Sequence, residues 1–74
     1  SRRVAAWLLH RSKMEKTDAL DLGVSREILA RLIGISRESL SRELSQLAAN
    51  GLISVERRRV LLLDRAGLQK LADS

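Results

Sequence analysis

A small, mainly α fold with one β-hairpin (α+β) is predicted from three features of the sequence. Two apolar stripes with helical spacing meet across Gly34. Two apolar runs, 52–55 and 60–63, flank the polar segment Glu56-Arg57-Arg58-Arg59. The chain has 74 residues, 45% of them hydrophobic, and neither cysteine nor proline. That length suits one domain, which hides only about 60% of its unfolded surface. Without cysteine, neither disulfides nor thiolate metal sites can reinforce the core.

The elements follow in order. Val4, Trp7, Leu8 and Arg11 have the i, i+3, i+4, i+7 spacing of a helix over residues 3–12, apolar at its first three positions. Residues 13–19 carry no period and are predicted as an exposed loop. Leu20, Leu22 and Val24 alternate with Asp21 and Gly23, which predicts a short strand weakened by its glycine. Ser25 is an N-cap, with Glu27 in the first turn where the helix dipole favours an acid. Ile28, Leu29, Leu32 and Ile33 form the apolar stripe of that helix, and Gly34 closes it. Ser36 caps again, Glu38 follows, and Leu40, Leu44, Leu47 and Ala48 give the core face of a longer helix ended by Asn50-Gly51. Two helices joined through a glycine describe a helix-turn-helix.

The hairpin lacks Asn-Gly or Asp-Gly, so a longer loop is expected in place of a tight primed turn. Ala66, Leu68, Leu71 and Ala72 mark a terminal helix. The order makes a winged helix-turn-helix: one domain over 1–74, with the helix-turn-helix about 25–50, the wing about 52–63 and the terminal helix about 65–72. The chain opens Ser1-Arg2-Arg3 without an initiator methionine, and we read it as a domain excised from a longer protein. Ser-Arg-Glu occurs at 25, 36 and 41; the first two are helix openings, and the third lies inside a helix.

Fourteen basic and nine acidic residues give a net charge of +5, and eleven of the fourteen are arginine. Arginine offers a planar fork to phosphate and guanine, so a polyanion, nucleic acid ahead of membrane, is the expected partner. No apolar run reaches the roughly 20 residues that span a bilayer, and the first residues do not read as a signal peptide. His10, the only histidine, is expected on a helix surface, and one histidine without cysteine does not suggest a metal site. Trp7, the only aromatic residue, suits core or interface packing better than base stacking. Phosphate-cradling glycine motifs and a supported nucleophile set are both missing, so the sequence does not read as an enzyme.

On a helical wheel with Arg37 at zero, the core stripe of the second motif helix centres near roughly 320°. Ser41, Glu38 and Arg42 fall at roughly 40°, 100° and 140°, Arg42 opposite the core. Arg37, Glu38, Ser41 and Arg42 suit a major groove: arginine bonds guanine O6 and N7, glutamate accepts from cytosine N4, serine serves either base or phosphate. Residues near the start of the second helix are those that reach base edges in helix-turn-helix proteins. Ser25, Arg26, Ser36 and Ser39 are placed for phosphate contacts, as are Arg57, Arg58 and Arg59 at the hairpin tip. Arg31 lies on the first motif helix with Arg26. The plainer alternative is that Glu38 and Arg42 are an i, i+4 pair on a solvated face. A rival function is protein–protein contact, the basic face binding an acidic partner, or dimerisation through Trp7 and the first helix.

The stretch from Val24 to Arg42 resembles the DNA-binding domain of the Crp/Fnr family of bacterial transcription regulators. The similarity runs from Arg3-Val4-Ala5 to about Leu63 and is most specific over Gly34–Arg42. Arg37, Glu38 and Arg42 match the R-E-x-x-x-R pattern of the cyclic-AMP receptor branch. Glu38, Ser41 and Arg42 match the E-x-x-S-R pattern of the Fnr branch, so the chain satisfies both. The resemblance implies an upstream β-roll sensor of unknown effector and a long dimerisation helix. It implies homodimers on palindromic promoter sites, RNA polymerase as a further partner, a cytoplasmic location, and no cofactor in this domain. Glu43 departs from the pattern, standing where the family has an apolar residue; its wheel position puts it at the edge of the core stripe, free to snorkel or to pair with Arg31.

Overall fold

The computed structural model describes residues 2–22 and 25–74. Four helices and three strands follow the order α1 (Arg2–Glu15), β1 (Ala19–Asp21), α2 (Arg26–Ile33), α3 (Arg37–Ala49), β2 (Ile53–Glu56), β3 (Arg59–Leu62) and α4 (Arg65–Asp73). The strands form one antiparallel sheet in the order β1-β3-β2. This is the winged helix-turn-helix expected from the sequence pattern.

The core forms where the apolar faces converge. Val4, Ala5 and Leu8 of α1, Leu20 of β1, Leu40, Leu44 and Leu47 of α3, Val60 of β3 and Leu68 of α4 are all buried in one cluster. Trp7 packs partly against this cluster, with the Arg11 guanidinium 5.2 Å from its ring centre. His10 is exposed.

Three helices end in the same way. Lys16, Gly34 and Gly51 adopt positive φ of 54°, 88° and 73°. The next residue's N–H then reaches five residues back: Thr17 to Ser12, Ile35 to Ala30, and Leu52 to Leu47, at 3.2, 2.9 and 3.0 Å. This satisfies carbonyls that a helix end would otherwise leave open. Starts are equally regular, since Ser25, Ser36 and Asp64 each accept a bond from a first-turn N–H.

Four expectations are corrected. α1 continues through Lys13-Met14-Glu15, where the sequence pattern predicts a loop; these are good helix formers, and Arg11 pairs with Glu15 at 2.6 Å across one turn. β1 covers Ala19–Asp21 only, while Gly23 and Val24 lie outside the described residues. Leu22 follows β1, and its N–H bonds the Arg58 carbonyl at 2.9 Å. The hairpin has no long loop: Glu56 pairs with Arg59, leaving a two-residue turn of Arg57 and Arg58. Arg57 takes a φ of 51° there, a conformation normally left to glycine or asparagine. Finally, Ile28 and Leu32 of the α2 stripe are 47% and 69% exposed; Leu29 and Ala30 are the residues that α2 buries.

Side chains distant in sequence tie the helices together. Arg3 Nη1 donates to the Gly34 carbonyl at 3.3 Å, joining α1 to the turn of the helix-turn-helix. Arg65 of α4 donates to Asp18 Oδ1 at 2.6 Å and to the buried Ser12 hydroxyl, which itself bonds Asp18 at 3.2 Å. The hydrogen bond from Arg65 holds the Asp18 carboxyl below its ordinary value.

Candidate nucleic-acid interface

The turn between α2 and α3 aims the second helix. Gly34 reverses the chain, Ile35 is half-buried, and Ser36 is extended at φ −76° and ψ 157° before α3 begins. Leu40, Leu44 and Leu47 then fix the rotation of α3 by entering the core at 0%, 2% and 1% exposure. The opposite side must face outward, as the 3.6-residue period requires.

Arg37, Glu38 and Arg42 are exposed, and Ser41 is half-buried beside them. Ser36, Arg37, Glu38 and Ser41 line one shallow recess at the start of α3. Three of the four proposed base readers thus share a concavity. Arg42 stands one turn further along and reaches back to it through Ser39, whose Oγ accepts from Arg42 Nη2 at 3.5 Å. Arg42 bonds Ser39, not Glu38, so the solvated i, i+4 pair weighed from the sequence is not the arrangement found. Glu43 is half-buried, and Arg31 faces Glu27 at 4.0 Å on the exposed side of α2.

The residues assigned to phosphate divide into groups. Ser25 is exposed, and its Oγ accepts from the Ile28 N–H at 3.3 Å; Arg26 beside it is half-buried. Ser36 is exposed, while Ser39 is half-buried. Arg57, Arg58 and Arg59 are exposed and line a second shallow recess with Asp21 and Glu56. In the sheet register Arg59 lies between Asp21 on β1 and Glu56 on β2. Arg57 and Arg58 form the two-residue tip, with the Arg58 carbonyl held by the Leu22 N–H. The wing therefore presents its charge in two settings, one flanked by acids and one open.

Sequence reasoning missed the bonds of Arg3 to Gly34 and of Ser36 to Ser39. The first joins residues far apart in the chain and has no local signature. The second had one in the polar i, i+3 spacing of Ser36, Ser39 and Arg42. Among the described residues, no group of acidic or histidine side chains could hold a metal ion, and no helix is long and apolar enough to cross a membrane.

Comparison with known proteins bears on the same elements. A transcriptional regulator of the Crp/Fnr family from Eubacterium rectale superposes with a TM-score of 0.88 at 32% identity, covering 99% of this chain and 33% of the regulator. The catabolite activator protein of Thermus thermophilus gives 0.85 at 30% identity, over 97% of this chain and 33% of that protein. FixK2 from Bradyrhizobium japonicum gives 0.84 at 30%, over 95% and 36%. The chain thus spans about a third of the length of each. No curated protein matches it. The family model for the Crp-like helix-turn-helix domain matches residues 2–71, nearly the whole fold described above, and the chain belongs to that family.

Proposed function

We propose that this domain binds double-stranded DNA sequence-specifically in transcription regulation, with α3 entering the major groove. The family supports DNA binding in transcription regulation as the general role. The observation that carries the finer reading is the polar set Arg37, Glu38, Ser41 and Arg42 on the side of α3 opposite its buried leucines. These are donors and acceptors matched to base edges. Ser25, Arg26, Ser36, Arg57, Arg58 and Arg59 hold the phosphate backbone and set the register of docking.

The single domain over 1–74 is part of a longer, cytoplasmic regulator carrying a sensor region, and it has no enzymatic role of its own. The regulator acts as a homodimer on palindromic promoter sites and contacts RNA polymerase. Half-sites then lie about 34 Å apart, one turn of the duplex.

The test is selection of bound sites from a random duplex pool, followed by titrations of the selected duplex. Arg42→Ala should cost about 1–3 kcal/mol and relax preference at one base pair. Equal weakening on selected and random duplexes would count against base reading by α3. A second reading, docking of a protein partner, is favoured by the exposed apolar pair Ile28 and Leu32 on α2. A pool that yields no consensus, with no salt-dependent binding to any duplex, would leave that reading standing.

A further inference from the structure

We infer that Ser39 is a positioning residue for Arg42, so that the N-cap of α3 and its outward arginine form one preorganised reading unit. The inference rests on the function proposed above and deepens it, because it takes Ser39 from a phosphate contact to a holder of the arginine.

Three bonds meet at Ser39. Its backbone N–H donates to Ser36 Oγ at 3.0 Å. Ser36 Oγ donates to Ser39 Oγ at 3.0 Å. Arg42 Nη2 donates to the same oxygen at 3.5 Å. Ser36, Ser39 and Arg42 are three apart in sequence and so form one row along the helix.

A hydroxyl accepts two hydrogen bonds and donates one. Ser36 fills one acceptor position of Ser39, and the Arg42 guanidinium faces the other at 3.5 Å, a long bond. Ser36 is itself fixed by the extended N-cap backbone and by the N–H it holds. The chain of bonds therefore runs from the rigid helix start to an exposed guanidinium. An exposed arginine visits many rotamers, and ordering it before DNA arrives lowers the entropy lost on binding. Ser39 is half-buried, which suits a holder better than an outward phosphate ligand.

The experiment uses the chain with Ser39→Ala, Ser39→Thr, Arg42→Ala and the double alanine variant. Each is titrated against the selected duplex and its single base-pair substitutions. Ser39→Ala should weaken the selected duplex about 3–10-fold, with the loss concentrated at the base pair that Arg42→Ala relaxes. In the Arg42→Ala background the same change should cost less than about twofold, since coupled residues do not add. Ser39→Thr, which keeps the hydroxyl, should restore binding. In the protein without DNA, nitrogen-15 relaxation at the Arg42 Nε–H should show greater motion in Ser39→Ala and not in Ser39→Thr.

Equal weakening on every duplex, a salt slope lowered by about one and a loss independent of Arg42 would make Ser39 a phosphate contact and overturn the inference. Unchanged Arg42 relaxation in Ser39→Ala would overturn it as well. If Arg42→Ala relaxes no base pair, the reading of α3 fails instead, and the relaxation measurement still decides whether Ser39 holds Arg42.

Discussion

Helices α2 and α3 begin alike. Each is capped by a serine that accepts a bond from its first turn, and each continues Arg-Glu. They diverge in what they bury. α3 sends Leu40, Leu44 and Leu47 into the core and turns Arg37, Glu38 and Arg42 to solvent. α2 buries Leu29 and Ala30 and leaves Ile28 and Leu32 exposed. Local signals start a helix, whereas the neighbours decide which of its faces is covered. α3 packs against α1, α2 and β2, while α2 has α1 and α3. With fewer neighbours, a shorter helix covers a narrower stripe than its composition offers.

Truncating one leucine on each helix tests the contrast between them most directly. Leu44→Ala should destabilise the domain by about 2–5 kcal/mol, the cost of a core cavity. Leu32→Ala should stay within about 0.5 kcal/mol, as surface substitutions do. Chemical denaturation of both variants measures the difference, and similar losses would mean that α2 is covered on both sides.

A second pair contrasts two bends held at positive φ, Gly34 between α2 and α3 and Arg57 at the tip of the hairpin. Gly34→Ala should cost about 1 kcal/mol, because φ there is 88° and alanine avoids it. Arg57→Gly should gain about 0.5 kcal/mol, since relief of the left-handed strain exceeds the extra flexibility of the unfolded chain. Thermal melts read both, and a loss on Arg57→Gly would show that its side chain supports the turn.

The smallest expected effect is electrostatic and lies away from both helices. The folded-state carboxyl of Asp18 is lowered by its bond from Arg65. A depressed carboxyl contributes stability that is present above its unfolded value and lost as pH falls through the folded one. Stability should therefore decline on acidification below the ordinary aspartate range, and Asp18→Asn should flatten that part of the profile. An unchanged acid limb in this variant would remove the contribution of the pair.

Much of the fold was legible because its punctuation is local. Ser25, Gly34, Ser36 and Asn50-Gly51 each mark a helix boundary through their own backbone and side-chain chemistry. Lys16 closes α1 with the same geometry as the two glycines, but lysine carries no such signal, so the pattern ends that helix too early. Arg57 hid the tight turn for the same reason. The polar face of α3 was legible from its period, and the structure brings Arg37, Glu38 and Ser41 together as that period implies. The Arg42 to Ser39 bond was not read, because a wheel gives directions and leaves open which neighbour an arginine chooses. The Arg65, Asp18 and Ser12 cluster joins three distant segments and has no sequence pattern at all.

The strand order β1-β3-β2 has a mechanical consequence. Asp21 meets Arg59 in the register, so residues 22–58, carrying α2, α3 and β2, form a closed loop clasped by one seam. Closing a loop of that length costs chain entropy before its contacts reward it. The seam fixes the hairpin to β1, while α3 is held to the hairpin by its own packing on β2. Helix and hairpin then stand like two jaws of a gauge, one seated in the leucine core and the other held by the clasp.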